Sequence, residues 1–238
     1  MAVYTLMHKP VPYGYEPGTI PIQVGFGKRF LEVTDETGEN IHEWNELYAE
    51  LTGIYWIWKN DTDDLKGQMQ YRRRLPLVKG LGDGYRVRTC KPLNLGRSLW
   101  SQYSLYHSES DLLLAERFIA EFQPAYLVDW NRYIKQDSLI YYSEGFLMRR
   151  EDYDAYCHWL FGFLDIFRHL RHWETPEDSK KTVAEDMIAG RRNSVRGWRY
   201  QSQVFGFLAE RLFTLYVRHH FEGRIQTDGY RLMENTGI

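Results

Sequence analysis

The segment Gln70-Tyr71-Arg72-Arg73 sets two guanidinium groups side by side, and a guanidinium presents phosphate or carboxylate with a rigid bidentate fork. The bias is general, since 21 arginines stand against 9 lysines. Lys9, just after a short apolar run, is a further cation of this kind. Glu144 lies within an otherwise apolar stretch and is followed by Gly145. A carboxylate turned into a pocket there takes a proton from an attacking hydroxyl, and glycine lets a ligand approach closely. Asp61-Thr62-Asp63-Asp64 has the two-carboxylate spacing that holds Mg²⁺ or Mn²⁺ against a diphosphate, because hard cations choose oxygen ligands. His107 and Asp111 stand at i and i+4, a weak metal-pair spacing with no third ligand identifiable. Glu210 and Arg211, amid apolar helical positions, read as an internal or rim ion pair.

These residues need elements to position them. Residues 2–8 read as a short buried strand, 20–24 as a second extended segment and 65–71 as another strand. Lys9, Arg72 and Arg73 then fall at strand exits, where open α/β sheets bind ligands. If the strand continued through Arg72 and Arg73, alternation would turn only one toward a cleft. The acidic run 61–64 enters a strand instead, so a solvated turn is the preferred reading there. A helix is expected after Asn40 as N-cap, with Trp44, Leu47, Tyr48, Leu51, Ile54, Tyr55 and Trp58 on one face. Further helices are expected from Ser98 through Tyr106, from Leu112 to Phe122 where Pro124 stops it, from Tyr153 through Phe167, over 183–189 and over 200–219. Residues 125–129 and 138–148 read as extended, and 173–182 as a polar linker. Strands alternating with helices point to one α/β sandwich with a helix-rich second half.

Composition bounds the function. The 238 residues are 43% hydrophobic and 26% charged, with a formal net charge of −2, which argues against a surface adapted to polyanions but leaves room for a local basic cleft. Cys90 and Cys157 supply neither a disulfide framework nor a zinc site. No stretch resembles a signal peptide or the ~20 apolar residues of a membrane span, so the expected compartment is the cytoplasm. Phosphate-loop, dinucleotide, zinc-protease and serine-hydrolase signatures are absent. Aromatic residues reach 16%; they suit a core first and a sugar- or base-stacking pocket second, with Tyr71 and Tyr103 as candidate platforms.

Read together, YTLMHKP (4–10), PIQVGFG (21–27), DETGENI (35–41), NELYAELTGIYWIWKN (45–60), QYRRRL (70–75), QYSLYHSESDL (102–112), EGFLMRREDYDAYCHWLF (144–161) and FGFLAERL (205–212) resemble a family of small bacterial glycosyltransferases. That family is catalogued as a domain of unknown function and is found in capsular and exopolysaccharide gene clusters. The resemblance implies a GT-A-like nucleotide-binding fold, a mixed and mostly parallel sheet flanked by helices, with 1–238 forming one glycosyltransferase domain. It implies transfer of a hexose or pentose from a nucleoside-diphosphate sugar, UDP-linked by preference, to a hydroxyl of a glycan or lipid-linked glycan at the inner membrane face. On the matched positions, Thr5, His8, Lys9, Gln70 and Tyr71 are the expected donor-binding residues. Arg72 and Arg73, with Mg²⁺ or Mn²⁺ as the candidate metal, offset charge on the leaving diphosphate. Glu144 is the candidate base, and Tyr103 and His107 face the acceptor. Related sequences carry His where this chain has Gln70, aromatics at Arg74 and Leu75, and Asn-Met at Glu144-Gly145, so donor or acceptor is expected to differ. Two alternatives remain open: transfer to a modified base in phage DNA, which needs a basic channel, and a catalytically silent carbohydrate-binding or scaffold protein.

Overall fold

Every residue of β1 (Ala2–Met7) is buried, which requires a strand paired on both sides and covered on both faces. The structure, a computed structural model, describes residues 1–233 and supplies that setting. After β1 come β2 (Ile20–Gln23), a 3-10 turn (His42–Trp44), α1 (Asn45–Tyr48), α2 (Leu51–Asn60), β3 (Leu65–Gln70), β4 (Arg73–Arg74), β5 (Val87–Cys90) and β6 (Leu93–Asn94). Helices α3 (Leu99–Tyr106), α4 (Glu109–Phe122) and α5 (Leu127–Asp129) follow, with a π-helical turn (Trp130–Gln136). The remainder is β7 (Leu139–Ile140), β8 (Gly145–Arg149), α6 (Arg150–Leu170), α7 (Pro176–Ile188), α8 (Gly197–Gln201), α9 (Val204–Phe221), β9 (Ile225–Asp228) and β10 (Arg231–Leu232).

Six strands form one sheet in the order β2-β1-β3-β8-β5-β9. β1 runs parallel to β2 and β3, and β5 runs parallel to β9, while β8 lies antiparallel between β3 and β5. This is the expected mixed, mostly parallel sheet flanked by helices. One face of β1 carries Tyr4 and Leu6 into the main core, shared with buried residues of α2, α6 and α9; Val3 points to a smaller cluster with Met69, Leu75, Leu77 and Leu147. Aromatic residues tie the layers together. Phe146 of β8 stacks on Phe213 of α9 at 4.8 Å and meets Tyr156 of α6 edge-on at 5.4 Å. No helix of the described residues is long and apolar enough to cross a membrane.

Several local expectations are corrected. The helix expected over the Trp44–Trp58 face is broken at Ala49, whose φ is +51°. Asn45 Nδ2 and Thr52 Oγ1 donate to the Ala49 carbonyl at 2.9 and 3.1 Å, satisfying it outside the helix ladder. Asn40 accepts from the His42 N–H rather than capping a long helix. Residues 125–129 are helical, because Pro124 starts a new turn as its first residue. Residues 138–148 divide between β7 and β8. The polar segment 173–182 is mostly α7, nucleated by a capping box in which Thr175 and Asp178 exchange side chain-to-backbone bonds.

The β3–β8 pairing leaves no room above Gly67: a Cβ there would fall on the backbone carbonyl oxygen of Phe146. Gly67→Ala is therefore expected to cost about 3 kcal/mol or more, the upper end of overpacking penalties. Urea unfolding checks this, and a loss below about 0.5 kcal/mol contradicts it.

Candidate active site

Two hollows lie side by side at the sheet edge where β1, β2 and β3 end and β8 begins. The smaller, about 420 Å³, is lined by Leu6 and His8 of the β1 exit, Val24, Gly25 and Phe26 of the β2 exit, Asn45 and Arg199. The larger, about 460 Å³, includes Arg73, Glu144, His107, Glu210, Arg211 and Arg196. Ala49, Glu50, Gln70, Arg72 and Gln203 belong to both and form their common wall. Parallel β1 and β3 release their chains at the same edge, and antiparallel β8 enters there, with the Gln70 N–H donating to the Glu144 carbonyl at 2.9 Å. Topology alone thus gathers His8, Gln70, Arg72 and Glu144.

Both Arg72 and Arg73 line the larger hollow. The expectation that only one would face it is corrected, because the chain leaves the strand at Tyr71 and the alternation ends. Arg72 is exposed and has no ion-pair partner among the described residues. Arg73 pairs with Glu144, whose carboxylate is 12% exposed. The evident effect of the pairing is to brace Arg73. Gly145 serves the core, not a ligand, since a Cβ there would meet Leu75 Cδ1 at 2.5 Å.

Four expected residues do not reach a hollow. Thr5 is fully buried, its hydroxyl 2.6 Å from that of Thr19, where it braces the loop after β1. Tyr71 is fully buried beside Tyr13, and its hydroxyl lies 3.4 Å from His8 Nε2, so it supports His8 from below. Tyr103 is fully buried and donates to Asp111 at 2.9 Å; stacking on a sugar is closed to it. Lys9 is exposed and lines neither hollow. The remaining pair, His8 and His107, do line the cleft, one in each hollow.

The residues that the sequence reading missed are Glu50, Gln203, Arg196 and Arg199, together with the cleft position of Glu210 and Arg211. The last two form the expected ion pair at 2.7 Å, yet both line the larger hollow. A signal existed for the arginines: Arg191, Arg192, Arg196 and Arg199 crowd one short segment. Arg192 is buried and donates to Asp111, which also receives Arg171 at 2.7 Å, so this charge cluster pins the segment to α4 and α6. Glu50 had no signal, because it lay within an expected continuous helix.

Electrostatics follow from burial. Desolvation raises the pKa of Glu50 against the lowering influence of its own backbone N–H and of Arg72 and Arg73. It also raises that of Glu210, helped by the charge of Glu50 and opposed by Arg211 and Arg73. Burial, with Arg72 and Lys9, lowers His8. His107 stacks on Phe207 at 4.0 Å and faces Gln201 Oε1 through Nδ1; burial and Arg211 push its pKa down to about 3, so it works as a neutral ring.

A divalent cation finds no ready cage. Among the described residues no group of three His, Cys, Asp or Glu side chains is placed to hold a metal ion. The acidic run lies at the amino end of β3, where Asp63 meets the N-terminal ammonium at 3.2 Å and Asp64 meets Arg150 at 3.4 Å. Asp111 is engaged by two arginines, so the His107–Asp111 spacing is not a ligand pair.

The chain belongs to the family described as a domain of unknown function (DUF4422), whose model matches residues 2–83 and 83–185. No curated protein matches it. A solved structure with the same fold is the apo form of the WbbM bifunctional glycosyltransferase, at a TM-score of 0.77 and 21% identity over 98% of this chain. This chain spans 45% of that one.

The His107 ring gives a pH test. Its folded pKa lies below the ordinary 6.5, so as pH falls below that value the unfolded chain takes a proton that the folded chain refuses. Stability is lost by about 1.4 kcal/mol per pH unit below pH 6, relative to His107→Asn. Urea titrations of both proteins between pH 7 and about 4.5 report it; parallel curves contradict it.

Proposed function

We propose that this protein is a glycosyltransferase that moves a sugar from a nucleoside-diphosphate donor, UDP-linked by preference, to a hydroxyl of a glycan acceptor. The observation that carries the reading is the double hollow with Arg72 in its common wall. Arg72 and Arg199 have no carboxylate partner among the described residues, and exposed guanidinium groups that line one hollow without a counterion offer their forks to an anion such as a diphosphate. The smaller hollow takes the nucleoside end, with His8 and Gln70 as donor contacts. The larger hollow takes the donor sugar and the acceptor hydroxyl, beside neutral His107 and the Arg73–Glu144 pair. Fold likeness to a protein described as a bifunctional glycosyltransferase supports the same class of reaction; in this proposal residues 1–238, of which 234–238 lie outside the described residues, act as one GT-A-type transferase domain in the cytoplasm.

Arg72 acts where charge develops as the sugar–phosphate bond breaks, and fixed donors at such places contribute roughly 10²–10³ in rate. Isothermal titration with a panel of UDP- and GDP-sugars is expected to give saturable binding to one group, with slow hydrolysis of the bound donor. Arg72→Ala is expected to weaken that binding by about tenfold, one charge-assisted contact, and to slow hydrolysis by about 100-fold. A folded protein that binds no donor of either kind contradicts the reading.

A further inference from the structure

We infer that Glu50 is the proton acceptor for the attacking hydroxyl; this rests on the transferase reading above and names a residue for it. Glu50 belongs to the wall common to both hollows, so it stands where an acceptor in the larger hollow meets a donor whose diphosphate lies on Arg72. Of the cleft carboxylates, Glu144 is taken by Arg73 and Glu210 by Arg211. Among the described residues the Glu50 side chain has neither an ion pair nor a hydrogen bond to another residue; it meets only its own backbone N–H.

The backbone holds it there. Ala49 adopts φ +51° and ψ −132°, a region that alanine rarely occupies and that surrounding contacts must enforce. Asn45 and Thr52 grip its carbonyl, and α9 closes behind it at Gly206, where a Cβ would meet Ala49 Cβ at 3.2 Å. The break between α1 and α2 therefore places Glu50 as the N-cap residue of α2, against the cleft. Charged and titratable neighbours converge on the same cleft from each flanking element: Arg72 and Arg73 after β3, Glu144 before β8, His107 after α3, Arg196 before α8, and Glu210 and Arg211 on α9. Burial makes Glu50 a stronger base than an exposed carboxylate.

In the step, the acceptor oxygen bonds to the anomeric carbon while the bond from that carbon to the β-phosphate oxygen breaks. The electron pair leaves with the nucleoside diphosphate. The hydroxyl proton passes to the Glu50 carboxylate, which then releases it to water. With water as acceptor the same step is donor hydrolysis.

Hydrolysis of the UDP-sugar that binds best tests this in the full chain. Glu50→Gln is expected to lose roughly 10²–10⁴ in kcat, the usual contribution of a positioned base, with UDP affinity within about threefold. In Glu50→Ala, added formate is expected to restore part of the rate, which a merely structural role would not allow. Glu210→Gln is expected to move the acid limb of the kcat profile to lower pH, since the neighbouring negative charge is gone. Glu50→Gln hydrolysing at the wild-type rate, or Glu50→Ala folded and unrescued by formate, overturns the assignment while leaving the transferase reading intact. Wild-type protein that neither binds nor hydrolyses any UDP- or GDP-sugar overturns that reading and this one with it.

Discussion

The cleft is organised by incomplete charge pairing in a partly desolvated space. Arginines 72, 73, 196, 199 and 211 share it with glutamates 50, 144 and 210. Two pairs close, Arg73 with Glu144 and Arg211 with Glu210. What remains is an excess of positive charge, with Arg72 and Arg199 toward the smaller hollow. Arg72 and Arg199 stay exposed to water, so they need no partner to be held there and their forks are free for an anion. The same imbalance separates roles. Paired groups hold shape, and unpaired groups are available to a ligand.

That arrangement depends on contacts far from it. Parallel β1 and β3 deliver His8 and Arg72 to one edge, and antiparallel β8 returns Glu144 to meet Arg73. The arginine segment 191–199 carries no long regular element, yet it is fixed through Arg192, which sits fully buried against Asp111 together with Arg171 and the Tyr103 hydroxyl. Removing one partner of such a buried group strands the others and is costly, so the cluster works as an anchor for Arg196 and Arg199. The strained turn at Ala49 is the counterpart on the opposite wall. Both walls are thus positioned by groups that no ligand touches.

How much of this the amino-acid sequence revealed differs from residue to residue. Arg72, Gln70 and His8 were legible because strand exits can be located from apolar runs and the ligand edge of an α/β sheet follows from topology. The place of Glu144 was legible, but its pairing with Arg73 depends on the β3–β8 register, which no local pattern encodes. Thr5, Tyr71 and Tyr103 carry suitable chemistry at suitable positions, and packing buried them. Strands β5 and β9 escaped notice because each carries a charged residue. Arg88 is buried only because Asp228 pairs with it at 2.6 Å, a contact between residues remote in the chain. Helix α7 was written in Thr175-Pro176-Glu177-Asp178, a cap signal that polar composition masked. Glu50 was hidden by its neighbour Ala49, whose side-chain-captured carbonyl breaks a helix that periodicity alone continues.

A crystal structure with UDP soaked into the full chain examines the central claim most directly. The account predicts the uridine in the smaller hollow and diphosphate oxygens within about 3 Å of the guanidinium groups of both Arg72 and Arg199, ordinary charge-assisted hydrogen-bond range. A nucleotide seated elsewhere, or with its diphosphate beyond reach of both arginines, contradicts it.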